Sequence, residues 1–375
     1  MNARNWKRTI LSVLLPISAA FHPEQSSPTA FGPTIRAIMS DIDGTLVHYA
    51  KDFAQHGVKL VSSDEKALTA TVEGPNGDRR HCRLLPSATM GPACISERTI
   101  ELVEALRDRG VRFCVMTAAR KSTMMRRLDM LPTCDVVVCE GGSRMVVNDE
   151  LDTEYTTRFE DVCGPMSREV VGEDDRPEPL WQYYRHLEET VPGLSLDANS
   201  YFGMFRVSAL GDEATEDALQ GMMQPSIIPS DVSVNSNLGK TDFFPTLAGK
   251  ANAVKYLQKK FGIDQLETVC LFDDDNDLLM AEQCGVHLLP SLTSFSIKNA
   301  VSHNPSWYVP TTVGQGVFAT EECLEKLLER VMAEQQIQTE VNLLLGEVEE
   351  ALPEQQASLN SSNEANSGGE VENLE

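Results

Sequence analysis

The sequence is short of positive charge. Against 56 Asp and Glu it carries 32 Lys and Arg, a net charge of -24. Nucleic acids and anionic membranes are held by basic patches, so neither is expected as a partner. The shortage is uneven: no Lys or Arg follows Arg330, and the last 45 residues hold ten Glu. Cysteine is present but unpatterned. The nine run from Cys82 to Cys323 without a C-x-x-C, which argues against zinc-ribbon and thioredoxin-type sites. Cys114, Cys139 and Cys270 sit inside apolar runs, where a thiol behaves as a small hydrophobe; a reducing compartment is expected. The apolar stretch from Ile10 to Ala20 is too short to cross a bilayer, so no stable membrane span is expected. No internal repeat is evident.

That stretch still carries information. Arg4, Lys7 and Arg8 precede it and small residues end it, which is the layout of a secretory signal peptide. Phe21 to Arg36 follows, rich in Ser, Thr and Pro, as in a transit peptide. The aromatic Phe21 directly after Ala20 resembles the two-part leaders of algae whose plastids lie inside extra membranes. A plastid location is therefore expected, with a cytoplasmic one as the alternative. Residues 1–34 are set aside as a leader.

From Thr34 onward, apolar strands alternate with amphipathic helices. "TIRAIMSD", "VRFCVMT", "CDVVVCEGG", "ETVCLFD" and "VHLLP" read as strands, and "SERTIELVEALRDRG", "GKANAVKYLQKKFG" and "NDLLMAEQCG" as helices. Near-continuous apolar strands separated by helices predict an α/β fold with a Rossmann-like parallel sheet covered on both faces. Two segments interrupt the rhythm. A β-hairpin insertion is expected at about 50–92, turning at Pro75-Asn76-Gly77-Asp78. Residues 143–248 mix helical and strand patterns and predict an inserted α+β domain. The core is thus expected in two parts, 35–142 and 249–332. A tail, 333–375, is expected to be helical at first, packing back on the core, and disordered from Pro353.

In an open parallel sheet, ligands bind beyond the carboxyl ends of the strands. Asp41, Asp43, Gly44 and Thr45 follow the first strand, Thr117 ends another, and Asp273 to Asp277 follow "VCLF". Lys250 opens the helix upstream of that last strand. Carboxylates, a hydroxyl and an ammonium on one rim suit phosphate chemistry with a hard cation, and Mg²⁺ is commonly held by carboxylates plus substrate phosphate. The "GKT" at Gly239 to Thr241 is no phosphate-binding loop, because Val234 stands where that motif needs Gly.

These motifs resemble the haloacid dehalogenase superfamily of phosphohydrolases. Its first motif, Asp-x-Asp-x-Thr, is matched by Asp41, Asp43 and Thr45. Its second is matched by Thr117, its third by Lys250, with Lys240 as the fallback, and its acidic fourth in part by "FDDDND". The four lie in the family's order between about 35 and 332. The resemblance implies that Asp41 is the nucleophile forming an aspartyl-phosphate and Asp43 the acid/base. Side chains at i and i+2 of an extended segment share a face, so both can reach one phosphorus. It implies that Gly44, Thr45, Thr117 and Lys250 bind the phosphate. Arg120, shifted by one residue in "TAAR", joins the substrate-binding candidates. Mg²⁺ would be held by Asp41, Asp43 through its backbone carbonyl, and Asp273, with Asn276 and Asp277 beside them. Phe272 replaces the family's usual Gly and is expected to crowd the site.

The inserted domain falls between the second and third motifs, where the family's larger α/β cap sits. That resembles the branch of sugar-phosphate phosphatases that includes sucrose-phosphate phosphatase. The resemblance implies a Mg²⁺-dependent phosphatase acting on a small phosphorylated metabolite, with a sugar phosphate expected. Tyr201, Phe202, Arg206 and Asn235 are candidate contacts from the cap. A phosphotransferase or mutase on the same scaffold, or a non-catalytic binding protein, are the alternatives.

Overall fold

The computed structural model describes residues 34–85, 91–165, 172, 175–237 and 239–365, with side chains to residue 343 except that of Asn237. The leader expected at 1–34 lies outside these but for Thr34, as do part of the hairpin insertion and the last ten residues of the tail.

The strand Ala37–Ser40 is buried at every position, as a strand covered on both faces must be. It belongs to a seven-stranded sheet in the order Glu150–Leu151, Arg144–Val147, Val136–Cys139, Arg112–Met116, Ala37–Ser40, Thr268–Leu271, Val286–Leu288. The last five run parallel and the first two antiparallel. Side chains alternate between the faces. Ile38, Phe113 and Val137 pack with Val103 and Leu106 of the helix Glu97–Arg107 and with Leu324 and Leu327 of the C-terminal helix. Met39, Cys114 and Val138 pack on the opposite face with Val254 and Leu257 of the helix Lys250–Phe261. Ser96 caps the first of these helices by accepting from the Thr99 N–H, as its position before the apolar periodicity predicts.

The segment after the first strand is more than a hairpin. It forms a five-stranded antiparallel sheet: His48–Tyr49, Ala93–Ser96, Arg79–Leu85, Thr69–Glu73, Lys59–Asp64. The turn falls where expected, with the Gly74 N–H donating to the Asp78 carbonyl at 2.9 Å. Lys59–Asp64 carries no strand signature in the sequence: all six of its residues are exposed, so no apolar alternation marks it. This sheet packs its own small core of Phe53, Val58, Val72, Leu84 and Phe318.

The inserted domain carries a four-stranded antiparallel sheet: Ser195–Asp197, Phe205–Ser208, Lys240–Pro245, Val232–Asn237. The helices Pro179–Thr190 and Glu213–Met222 accompany it. Its boundary needs correction. Arg144–Val147 and Glu150–Leu151 extend the main sheet, and Asp152 accepts from Tyr256 on the helix Lys250–Phe261, so residue 143 lies inside the core rather than at the start of the cap. Lys240 and Thr241 of the "GKT" open the strand Lys240–Pro245, an inner strand of the cap sheet with five of its six residues buried.

The last helix runs from Val317 to Ala365. Leu324, Leu327 and Val331 are buried in the core, while Leu343 is exposed. Disorder from Pro353 was expected, but the helix continues past it. Glu, Gln, Ala and Leu dominate that stretch, all good helix formers, and no glycine intervenes before Gly368. All nine cysteines are free thiols. Among the described residues no helix is long and apolar enough to cross a membrane.

Candidate active site

Asp41 is the first residue beyond the strand Ala37–Ser40, and its N–H donates to the Leu271 carbonyl at 2.9 Å. The neighbouring strands are in register at that end: Ser40 lies opposite both Val115 and Leu271. Thr117 and Asp273 therefore leave the sheet at the same rim as Asp41. The chain then turns sharply, with the Gly44 N–H on the Val47 carbonyl at 2.8 Å and the Val47 N–H on the Ile42 carbonyl at 2.9 Å.

Gly44 is required at that turn for two reasons. Its φ is +95°, in the left-handed region, and a Cβ there would lie 2.1 Å from Asp273 Oδ2. The backbone thus passes directly against a buried carboxylate. Asp273 is fixed from its other oxygen, where Thr45 Oγ1 donates to Oδ1 at 2.7 Å.

Lys250 stands between the acids. Its Nζ donates to Asp41 Oδ1 at 2.6 Å, Asp277 Oδ1 at 2.6 Å and Asn276 Oδ1 at 3.2 Å. These three bonds use all three ammonium hydrogens. Desolvation alone would lower the Lys250 pKa, but Asp277 and Asp41 overcome it and hold the ammonium above its usual range. The lysine is placed by a close approach of two backbones. Gly249, at φ +92°, precedes the helix, and a Cβ on Gly142 would lie 2.3 Å from its carbonyl carbon.

Asp41, Asp273 and Asp277 each offer an oxygen within 4.8 Å of the others, and all three are buried. Three carboxylates against one ammonium leave two negative charges uncompensated, which is the charge of one divalent cation. Burial pushes Asp41 up to about 8 even against Lys250. Burial, reinforced by Asp41 and Asp277, raises Asp273 well above the carboxylate range. Asp277 rises with burial against the pull of Lys250, and its Oδ2 has no hydrogen-bond partner among the described residues. Buried carboxylates without compensation are costly. The donor set of oxygens fits Mg²⁺ by charge and ligand type.

Asp43 takes its hydrogen bonds from outside this group. Its Oδ1 accepts from Tyr49 Oη at 2.5 Å and from Arg127 Nη1 at 2.8 Å. Neither partner was singled out in the sequence. Arg127 ends the helix Lys121–Arg127 and is 4% exposed; a buried arginine about two turns beyond the "TAAR" segment carries no local pattern. Tyr49 reads as a strand aromatic.

The remaining candidates separate. Thr117 Oγ1 accepts from the Ala119 N–H at 3.0 Å, and its own hydrogen has no acceptor among the described residues. Arg120 does not face the carboxylates: its guanidinium pairs with Asp197 and stacks 4.6 Å from the Tyr201 ring, both in the cap. Asn235 reaches from the cap to the Asn276 carbonyl at 3.4 Å. Arg206 is spent on Asp242 at 2.5 and 2.6 Å. Phe202 stacks under Arg144, and its N–H donates to buried Glu140 at 2.8 Å. Phe272 does not crowd the site. It is fully buried against Trp307 and His287, so the change from Gly is absorbed by the core.

The family model described as sucrose-6F-phosphate phosphohydrolase matches residues 96–332. The chain is 26% identical over 224 residues to the 5-amino-6-(5-phospho-D-ribitylamino)uracil phosphatase of Escherichia coli, covering 55% of this chain and 79% of that protein. Among solved structures, the sucrose-phosphatase of Synechocystis in complex with sucrose and phosphate aligns at TM-score 0.49 and 12% identity, over 79% of this chain and 98% of its own. The trehalose-6-phosphate phosphatase of Aspergillus fumigatus aligns at TM-score 0.41 and 14% identity, over 79% and 93%.

Proposed function

The chain belongs to the sucrose-6F-phosphate phosphohydrolase family, a group of haloacid-dehalogenase-like phosphoric monoester hydrolases, and from that premise we propose that it is a Mg²⁺-dependent phosphatase of a sugar phosphate. The observation that carries this reading is the buried cluster of Asp41, Asp273 and Asp277 around Lys250, with Asp43 held apart by Tyr49 and Arg127.

In this reading Asp41 Oδ attacks phosphorus and the bond to the leaving oxygen breaks. Asp43 gives that oxygen a proton, so the sugar departs as a neutral alcohol. Asp43 then takes a proton from water, which attacks the same phosphorus. Inorganic phosphate leaves and the Asp41 carboxylate is restored. Splitting one hard displacement in two suits monoesters, whose enzymes supply up to roughly 10²¹-fold. The two aspartates have different surroundings: Asp41 is 6% exposed against an ammonium, while Asp43 is partly open to solvent with a phenol and a guanidinium. Inequivalent environments are how a carboxylate pair divides into nucleophile and acid. Bound Mg²⁺ would be held by Asp41, Asp273 and Asp277 and would supply electrostatic stabilisation of phosphate charge. Lys250 adds positive charge to the same spot. Residues 1–34 would direct the protein to a plastid, which a fluorescent fusion of that segment tests.

The test is phosphate release from a panel of sugar phosphates by the chain from Thr34 onward, with and without Mg²⁺, beside Asp41→Asn. Release that needs both the cation and Asp41 supports the reading. Release that survives Asp41→Asn, or a folded protein that releases nothing from any substrate, overturns it.

A further inference from the structure

Glu140, which follows the strand Val136–Cys139, combines two local penalties. Its φ is +55°, in the left-handed region, where a residue with a Cβ is strained. The next two residues, Gly141 and Gly142, are glycines and take such a backbone freely. Its carboxyl group is fully buried. Oε1 has no hydrogen-bond partner among the described residues and lies 3.8 Å from Arg144 Nη1. Strained backbone gathers at functional sites, and a buried acid is costly unless it holds something.

What it holds follows from its partners. Through its backbone the turn Glu140–Gly142 grips the Thr117 segment. The Glu140 N–H donates to the Ala119 carbonyl at 2.9 Å and the Gly141 N–H to the Thr117 carbonyl at 3.2 Å. Gly142 lies against Gly249, the residue before Lys250. The Glu140 side chain goes to the cap instead. Its Oε2 accepts from the Phe202 N–H at 2.8 Å and from the Gly203 N–H at 3.1 Å. Ser143 Oγ donates to the Gly203 carbonyl at 2.7 Å, so Gly203 is held at both its N–H and its C=O. The same loop carries Tyr201, whose ring stacks with Arg120. A carboxylate makes stronger bonds to N–H groups than a neutral acceptor does. One side chain thus spans from a turn that touches Thr117 and the approach to Lys250 to a loop of the cap.

We propose that Glu140 is a positioning residue for the reaction: its carboxylate fixes the cap loop 201–203 relative to Thr117 and Lys250, and so places the cap against the organic part of the substrate while the phosphate sits at those two residues. The proposal rests on the phosphatase reading and deepens it.

Glu140→Gly separates this role from support of the turn. Glycine takes a φ of +55° without strain, so the backbone grip on Thr117 is kept and only the carboxylate is lost. Glu140→Gln keeps an acceptor without the charge and is expected to fall between the parent and Glu140→Gly. The full chain is assayed on the panel of sugar phosphates, glucose 6-phosphate and fructose 6-phosphate among them, and on p-nitrophenyl phosphate. The nitrophenyl group has no hydroxyls for a cap to hold. Glu140→Gly is expected to lower kcat/KM for the best sugar phosphate by about 100-fold, the effect of an ångström-scale misplacement, and to leave p-nitrophenyl phosphate near the parent value. Amide hydrogen exchange at Phe202 and Gly203 is expected to rise by about 10- to 100-fold, one charge-assisted bond being lost at each. Equal losses on the sugar and nitrophenyl esters would reduce Glu140 to a support of the turn and overturn the proposal. Unchanged sugar-phosphate turnover or unchanged exchange in Glu140→Gly would overturn it too. If the parent releases phosphate from no sugar phosphate, the phosphatase reading falls, and hydrogen exchange decides the Glu140 contact by itself.

Discussion

Gly44→Ala isolates the contact on which the metal-site argument depends. Two costs add. The left-handed backbone at φ +95° charges a residue with a Cβ roughly 1–2 kcal/mol. The new methyl would sit 2.1 Å from Asp273 Oδ2 and 2.7 Å from its Cγ, where ordinary contact begins at 3.4 Å. The carboxylate must retreat by about 1.3 Å, or the loop carrying Asp43 must lift. Asp273 has little freedom to move, being 2% exposed and held by Thr45 at 2.7 Å. A misplacement of that size in a reacting constellation costs about 10²-fold in rate.

The expected result is a folded protein, less stable by about 2–3 kcal/mol, with phosphate release down about 100-fold and a raised Mg²⁺ requirement. The assays are phosphate release against Mg²⁺ concentration and urea unfolding. Repeating the substitution in an Asp273→Ala background removes the clash while keeping the backbone strain, so most of the added loss in rate should vanish there. Activity and Mg²⁺ half-saturation like those of the parent protein would refute the claim that Asp273 is pinned against Gly44 to serve the site.

Three further outcomes follow from the same geometry. Lys250→Met leaves Asp41 and Asp277 buried without their ammonium and should destabilise the protein by about 3–5 kcal/mol as well as abolish turnover; urea unfolding that matches the parent would sink the reading. Arg127→Met removes one of two donors to Asp43 and should lower kcat by about 10- to 100-fold with little change in KM, so a KM effect alone would assign Arg127 to binding instead. In metal-free protein, burial raises Asp41 from 3.8 to about 8, and raises Asp273 and Asp277 as well. The folded state then keeps protons that the unfolded chain gives up near pH 4. The contribution of these three groups to stability without metal is greatest below that pH and is lost as pH climbs toward 8. The gain in Tm from excess Mg²⁺ over EDTA should therefore widen from pH 5 to pH 8, and a gap independent of pH would contradict it.

How far the sequence shows all this depends on where each residue's partner lies. Asp41, Asp43, Thr117, Lys250 and Asp273 were legible because each terminates or opens an element whose apolar period is strong, so its place on the rim follows from the element. The parallel strands were legible for the same reason: Ala37–Ser40 and Thr268–Leu271 are buried throughout and read as unbroken apolar runs. What stayed hidden is long-range or exposed. Arg127 reaches Asp43 across 84 positions, and no local pattern foretells it. Glu140 clamps the N–H groups of Phe202 and Gly203 more than 60 residues away, yet in sequence it is one acid among many. Lys59–Asp64 is a strand held by its ladder to Thr69–Glu73 and by no apolar face of its own. Arg120 was assigned to substrate from its neighbourhood, and the cap's Asp197 claims it instead.

The two insertions act on one rim from opposite sides. The cap descends on Lys250 through Asn235 and is tied to the core by Arg120–Asp197 and by Glu140. That leaves little room above the ammonium. The other insertion begins at His48, only five residues after Asp43, and its first strand supplies Tyr49, which holds the Asp43 carboxylate. In the proposed phosphatase reading, a change in that sheet acts on the proton transfer at Asp43, whereas a change in the cap acts on the side of Asp41 and Lys250. In that reading the parallel core supplies the reacting groups, and their division between two insertions would make the acid/base step and the nucleophilic step separately tunable by segments that share no strand.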